Sequence, residues 1–369
     1  RVQTMKIGDV LPADAVDCIP KLPHGWWGSC VKNLEAARAT FWEQRGGRWY
    51  DPAVLAEETV IVFACFLALC IVRFILGKLA FEPYFQLLKR RARTKRKQRK
   101  ALRAARQGQK SNNDNKPKEK KPAPTPEQKA KLEEGRLQRV KETGWYTVFY
   151  PFSFAFGMYV LYMEPWTVFP TVHVWHGWPH QPLSFLFKFF YLFELGFYWQ
   201  ALIQLTFFEI RRKDFMQFVI HHIATIALIS MSHYARYNRI GLLILVVHDF
   251  ADCFLYVTKM VHYLELENTT NIMFAVFALA FFCSRLVFYP FVVLPASAIE
   301  HWGWPEIWPG PVYWQTNAFL FVLLGLHIFW FYLIARMIKK SLLAGGVEQD
   351  IRSDDEGDDI GGSSDDETD

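Results

Sequence analysis

Five side chains that can move protons fall within two neighbouring apolar runs of the sequence. His221 and His222 stand side by side in the run 216–235, and His248, Asp249 and Asp252 stand in the run 240–262. Imidazole gives and takes protons near neutral pH, and a carboxylate beside it fixes its tautomer and raises its basicity. It can also attack an activated acyl group and carry it covalently. The spacing favours one site. His248 and Asp252 are four residues apart and Asp249 and Asp252 three apart, so each pair shares a helix face.

An ionisable group at mid-helix in a bilayer costs ~2.5–3.5 kcal/mol, so these residues imply a polar cavity, a proton path or catalysis. Simpler readings compete with catalysis. The groups could satisfy one another across two helices. They could hold a metal, since His and Asp are common ligands. The contiguous pair, however, lacks the repeated three- or four-residue spacing of membrane di-iron sites. His173, His176 and His180 do have ligand-like spacing, but they sit in a Trp- and Pro-rich loop away from the pair. No metal is therefore expected. A proton-coupled transporter would spread polar residues over more spans than Arg73, Glu194 and Arg285 mark.

The elements that must position these groups are long apolar helices. Runs near 54–80, 146–164, 183–209, 216–235, 240–262, 271–294 and 314–336 are each of membrane-spanning length. The fold class read from them is an all-α integral membrane protein with about seven spans. The composition agrees, because 33 Phe, 15 Tyr and 14 Trp suit a lipid-embedded body with aromatic belts.

Lys and Arg cluster after the first, third and seventh runs, as Lys89-Arg90-Arg91, Arg211-Arg212-Lys213 and Arg336 with Lys339-Lys340. The loops 165–182 and 295–313 hold none. The positive-inside rule then puts the N-terminus in the lumen and the C-terminus in the cytosol, with Arg236 and Arg239 outvoted. In this orientation the sequon Asn268-Thr269-Thr270 faces the cytosol and is expected to stay unmodified.

The domain reading follows. Residues 1–53 form a lumenal segment without a cleavable signal, in which Cys18 and Cys30 are an open disulfide candidate. Residues 54–80 act as a signal anchor, and 81–142 form a basic cytosolic linker. The linker lacks the interleaved aromatics of a nucleic-acid reader and is read as solvated, touching anionic lipid headgroups. No nucleic-acid partner is expected. Residues 143–340 form the catalytic body, and 341–369 an acidic disordered tail with eleven acids and one arginine from Glu348 onward. In that tail Ser353, Ser363 and Ser364 each precede an acidic residue at the third position beyond, a pattern that acid-directed kinases favour.

The run His221-His222, Thr225, Ser230, Asn238, Arg239, Gly241, His248-Asp249, Asp252, Leu255, Lys259 resembles the Lag1 motif of the ceramide synthases, within a TLC (TRAM–Lag1–CLN8) domain. The stretch from Trp175 to Gln181 resembles a second landmark of that family, and the likeness covers about 145–340. One position departs: Tyr256 stands where the motif usually carries an acid. Some members carry a homeobox-like insert before the domain, of which only the end, from Lys141 to Tyr150, looks similar here.

The resemblance implies six helices in a TLC-type barrel around a central cavity in the endoplasmic reticulum membrane. It implies N-acylation of a sphingoid base by fatty acyl-CoA, with no permanently bound cofactor. His221 or His222, with His221 slightly preferred, would be base or nucleophile. Asp249 and Asp252 would orient and charge-balance the imidazoles, with His248, Asn238 and Arg239 in support. Arg211, Arg212 and Lys213 would attract CoA phosphates, or serve only as topology determinants. The loop 295–313, with Trp302, Trp304 and Trp308, lies where the family sets acyl length. A homo- or heterodimer is left open. The alternative is a TLC-domain membrane protein without acyltransferase activity, translocon-associated or lipid-sensing.

Overall fold

The structure, a computed structural model, describes residues 52–107, 125–179, 181–264, 266–300 and 311–344. The Cys18–Cys30 pair, His180, the three loop tryptophans and the tail serines lie outside those residues. Every regular element described is helical. The order is α1 (Pro52–Leu76), a π-helical turn (Gly77–Phe81), α2 (Glu82–Gln107) and α3 (Pro126–Met163). A short 3-10 helix (Thr171–Trp175) precedes α4 (Phe185–Phe207), α5 (Phe215–Tyr234), α6 (Asn238–Tyr263) and α7 (Glu267–Phe281). A π-helical segment (Phe282–Val293) continues α7 into α8 (Leu294–Ala298), and α9 (Pro311–Ala344) follows.

Among the described residues, five helical stretches are long and apolar enough to cross a membrane: Val54–Thr94, Phe215–Tyr234, Asn238–Tyr263, Asn268–Ala298 and Val312–Lys340. The protein is an all-α membrane protein. The other two runs expected to span, 146–164 and 183–209, are helical within α3 and α4 but are not among the five. Their polar content explains this. α4 carries Lys188, Glu194, Gln200 and Gln204 among its aromatics.

Local signals set the helix ends. Thr125 accepts from the Gln128 N–H while Gln128 Oε1 accepts from the Thr125 N–H, a capping box with Pro126 in the first turn of α3. Ser184 caps α4 by accepting from the Phe187 N–H. The α5–α6 turn needs only residues 235–237. The Tyr237 N–H bonds Ser232 O and the Arg236 N–H bonds His233 O, and Arg236 takes φ 63°. That is a Schellman stop with arginine in the place usually held by glycine, so the sequence gives no turn signal there. The turn folds α6 back beside α5 and brings the two chemistry-bearing runs together.

In a bilayer, association rests on close packing rather than on hydrophobic force between helices. α1 packs on α4, α3 on α4 and α6, α5 on α4, α6 and α9, and the π-helical segment on α6, α7 and α9. Gly196 lets α4 approach α1, since a Cβ there would lie 2.9 Å from Val62 O. Gly241 makes room for Tyr191, whose hydroxyl would be 1.9 Å from a Cβ. Between α3 and α4, Phe149 stacks on Phe197 with ring centroids 3.4 Å apart.

Candidate active site

Burial and hydrogen bonding fix the tautomers of two histidines. One turn back on α5, Phe218 O lies 2.7 Å from His222 Nδ1. A carbonyl can only accept, so Nδ1 carries the proton and the neutral ring presents a lone pair on Nε2. His248 Nδ1 likewise donates to Ile244 O at 2.7 Å. Its Nε2 then accepts from Nε2 of His327, 3.1 Å away on α9. This leaves the lone pair of His327 on Nδ1, which has no hydrogen-bond partner among the described residues.

His221 joins the two halves of the cluster. Its ring centroid lies 6.5 Å from His248, 5.6 Å from His222 and 5.5 Å from Trp330. Tyr198 of α4 packs edge-on against both His221 and His222, at 6.4 and 6.0 Å. His221 Nδ1 is buried with no partner among the described residues. Four imidazoles from α5, α6 and α9 thus lie in one neighbourhood with two ring nitrogens unsatisfied. Among the described residues, no group of three or more His, Cys, Asp or Glu is arranged to hold a metal ion.

A cavity reaches this cluster. It encloses about 1110 Å³ of empty space, its open mouth included, and His221, His222, Asp252, Arg285 and Trp330 line its inner end. Glu209, Ile210 and Arg212 line it on the side of the α4–α5 loop. A second cavity of about 540 Å³ lies on the other side of His248, lined by Tyr198, Thr225, Tyr237, Ile244 and Leu320 among others. The chain therefore offers largely apolar space beside His221 and His222 and further apolar space beside His248.

The two aspartates part company. Asp252 lines the cavity and accepts from Arg285 Nη2 at 2.7 Å. The same Nη2 donates to His248 O at 2.7 Å, so the π-helical segment clamps the turn of α6 that bears the site. Asp249 instead accepts from Ser153 Oγ of α3 at 2.5 Å, and Ser153 also bonds Glu194 of α4.

Asn238 and Arg239 lie about ten residues, hence ~15 Å, back along α6. Asn238 Nδ2 is 2.8 Å from His233 Nδ1, and Arg239 donates to His173 O and His176 O at 3.3 and 3.1 Å. The structure groups Arg239 with the 165–184 loop and Asn238 with His233 at the end of α5, and neither with the histidine cluster around His221. In that loop burial first, then His173 and Arg239, hold the His176 imidazole below its ordinary range. Of the basic triplet, Arg212 lines the cavity, while Arg211 and Lys213 are exposed. At the same mouth Glu209 accepts from Arg73 of α1 at 2.9 Å and from the Tyr146 hydroxyl at 2.8 Å.

Sequence reasoning missed His327, Tyr198 and Trp330, and treated Arg285 and Glu194 only as isolated polar residues. His327 carried a usable signal. It is the one histidine in the run 314–336, well inside its ends, and the bilayer-cost argument that singled out His221 applies to it equally. Tyr198 and Trp330 gave none, because aromatics are everywhere in these runs.

Residues 139–336 match the family model described as the TLC domain. The chain is 37% identical over 237 residues to "Ceramide synthase LOH1" of Arabidopsis thaliana, covering 61% of this chain and 75% of that protein. It is 37% identical over 218 residues to "Ceramide synthase 5" of Homo sapiens, covering 59% of this chain and 55% of the relative. With "Ceramide synthase 4" of Bos taurus it shares 41% over 213 residues, 58% of this chain and 53% of that one. The chain thus spans about half the length of the two mammalian relatives and three quarters of the plant one.

Proposed function

This chain belongs to the TLC-domain family, in which relatives bear the name ceramide synthase, and on that premise we propose that it makes ceramide. The reaction is N-acylation of a sphingoid base by fatty acyl-CoA. The observation that carries this reading is the lone pair of His222 Nε2, left free by the Nδ1–Phe218 bond on a ring that lines the larger cavity. A sphingoid amine is largely an ammonium ion at neutral pH and must shed a proton before it attacks a thioester. Overall, an ammonium and a thioester give an amide, a free thiol and one proton. The C–S bond breaks, the C–N bond forms, and the sulfur leaves with a proton.

His222 Nε2 serves in one of two ways. It takes the ammonium proton, or it attacks the thioester first and holds the acyl group as an acyl-imidazole until the amine displaces it. His221, with its unpartnered Nδ1, is the second imidazole for either route. Asp252, charge-balanced by Arg285, supplies the carboxylate that stabilises an imidazolium at this site. The cavity mouth at Arg212 suits CoA phosphates, and the apolar space on either side of the imidazoles suits two hydrocarbon chains.

The contact order α3–α4–α5–α9, then the π-helical segment that continues α7, then α6, with α6 returning to α3 and α1 outside on α4, supports a six-helix TLC-type barrel and seven spans. The endoplasmic reticulum location, a lumenal N-terminus and a cytosolic mouth at residues 208–214 complete the proposal.

Purified protein given sphinganine and acyl-CoAs of several lengths tests it. Ceramide product is expected. No product at any length from folded protein identifies a TLC-domain protein without this activity. Intact mass after acyl-CoA alone separates the routes, since an acyl adduct lost in His222→Ala marks the covalent one.

A further inference from the structure

Ser153 Oγ stands between two buried carboxyl groups. It lies 2.5 Å from Asp249 Oδ2 and within hydrogen-bond distance of Glu194 Oε1. Glu194 is fully buried and Asp249 is 1% exposed. Proton counting decides the state of this trio. A serine hydroxyl has one hydrogen to donate, and an ionised carboxylate has none. If both carboxyls were ionised, only one of the two contacts could be a hydrogen bond. The other would be a bare approach of serine oxygen to carboxylate oxygen in a low-dielectric interior, where unpaired lone pairs are costly. A second proton resolves it: one carboxyl donates to Ser153, and Ser153 donates to the other.

The surroundings favour the same count. The outer oxygens, Glu194 Oε2 and Asp249 Oδ1, have no hydrogen-bond partner among the described residues. Among the described residues no cation bonds either group, and Arg285, the nearby guanidinium, is engaged by Asp252 and His248 O. The other ionisable groups facing the trio are Tyr198, one turn beyond Glu194 on α4, and Asp252, one turn beyond Asp249 on α6. Two adjacent negative charges here would have only Arg285 to oppose them, and Asp252 already engages that guanidinium.

We propose that Glu194, Ser153 and Asp249 form a proton-sharing carboxyl pair, carrying one proton and one negative charge between two acids, that positions the histidine cluster. It ties α3, α4 and α6 at one point. Tyr198 follows Glu194 by four residues and packs on His221 and His222, while His248 immediately precedes Asp249. The pair therefore sets how α4 and α6 present their side chains to the imidazoles. Asp249 acts within it, and Asp252 is left as the carboxylate of the cavity.

Only the activity arm of the test rests on the proposed acylation. The first measurement is infrared difference spectroscopy on the full-length protein in detergent, without substrate. The expected result is a carbonyl stretch of a protonated carboxylic acid that persists at neutral pH and is lost in Glu194→Gln. The amide there supplies the second hydrogen and leaves Asp249 ionised. Absence of such a band in the wild type at neutral pH, or its full retention in Glu194→Gln, overturns the pair.

The second measurement compares acylation by Glu194→Gln and Glu194→Ala, each normalised to folded protein. Glutamine mimics the protonated acid and is expected to keep activity of the wild-type order, while alanine loses most of it. Equal loss in both would show that a neutral hydrogen donor at position 194 cannot stand in for the shared proton, and overturns the pair. If the wild type makes no product, the acyl-transfer reading fails while the spectrum still decides the pair.

Discussion

Two buried polar clusters built around histidine sit at different depths of the same helices, and they are finished differently. Where α5 meets α6, His233 Nε2 lies 3.0 Å from Glu58 Oε2 of α1, and its Nδ1 is 2.8 Å from Asn238 Nδ2. Lys188 of α4 bonds the second oxygen of Glu58 at 2.5 Å. Both ring nitrogens are satisfied, and charge is balanced across three helices. At the histidine cluster, His221 Nδ1 and His327 Nδ1 are left without partners among the described residues, and two cavities abut the rings. A polar cluster that serves only the fold closes the hydrogen bonds of its titratable groups, here Glu58 and His233. One that does chemistry keeps unpartnered nitrogens on imidazoles that line space a substrate can enter, as His221 does.

The contrast breaks most sharply by substitution at the two ends. His222→Ala is expected to lower acylation by about 10²–10⁴-fold, the range of a lost acid–base group, with the melting temperature near that of the wild type. Glu58→Ala is expected to do the reverse. It removes one partner of a buried pair, a loss of about 3–5 kcal/mol, with turnover per folded molecule preserved. Thermal melts in detergent, paired with product formation normalised to folded protein, read both. If Glu58→Ala abolished turnover in a normally stable protein, the cluster at the α5–α6 turn would belong to the site and the distinction would fall.

How much of this was legible in the sequence follows from the same contrast. Bilayer cost picks out any ionisable residue in a long apolar run, so His221, His222, His248 and Asp252 could be found. It is blind to which neighbour each will meet. Asp249 and Asp252 look equivalent at three-residue spacing, yet about 60° of direction and about 4.5 Å of rise are enough to turn one toward Ser153 and Glu194 and the other toward Arg285. Asn238 and Arg239 stood close to the site in the motif but ~15 Å away along the axis. The long apolar helices were legible from apolar length, whereas α2 and the first half of α3, polar helices within 81–142, were not. The tight α5–α6 stop was not, because Arg236 occupies a left-handed position that no propensity assigns to it.

A smaller effect sharpens the role of α1, which lies wholly before the matched domain at 139–336. Arg73 reaches from α1 to Glu209 at the cavity mouth, where Tyr146 also donates to the same carboxylate oxygen. Arg73→Ala frees the loop that carries Arg212. The KM for acyl-CoA is expected to rise by about tenfold, the scale of one hydrogen bond to a charged group, with kcat little changed. Steady-state kinetics with acyl-CoA varied at saturating sphinganine give the split. A fall in kcat at constant KM would place Arg73 in the chemistry and not in the docking of the thioester.

The smallest expected effect lies at the same mouth, on Glu142, before the span that begins near residue 146. Its Oε1 accepts from the Ile210 N–H at 3.2 Å and from Gln138 at 3.1 Å. Burial first, and then the charge of Glu209, push this carboxyl up from 4.5 to about 7, against the pull of Arg212 and the Ile210 N–H. A raised acid favours the protonated form in the folded state. Its contribution is therefore complete below about pH 4.5 and is lost as pH rises through about 7. Glu142→Gln is isosteric with the protonated acid and keeps an acceptor for Ile210. It should flatten the fall in melting temperature between about pH 5 and 8, with little change at the acidic end. Arg73→Ala is expected to steepen that fall, because Glu209 then faces Glu142 without its cation. A pH series of melts on the wild type and the two variants checks the sign. A wild-type melting temperature that rises over this interval in step with Glu142 ionisation would show that the mouth prefers the charged carboxylate, and would make it a finished cluster like that around Glu58 and not an open one.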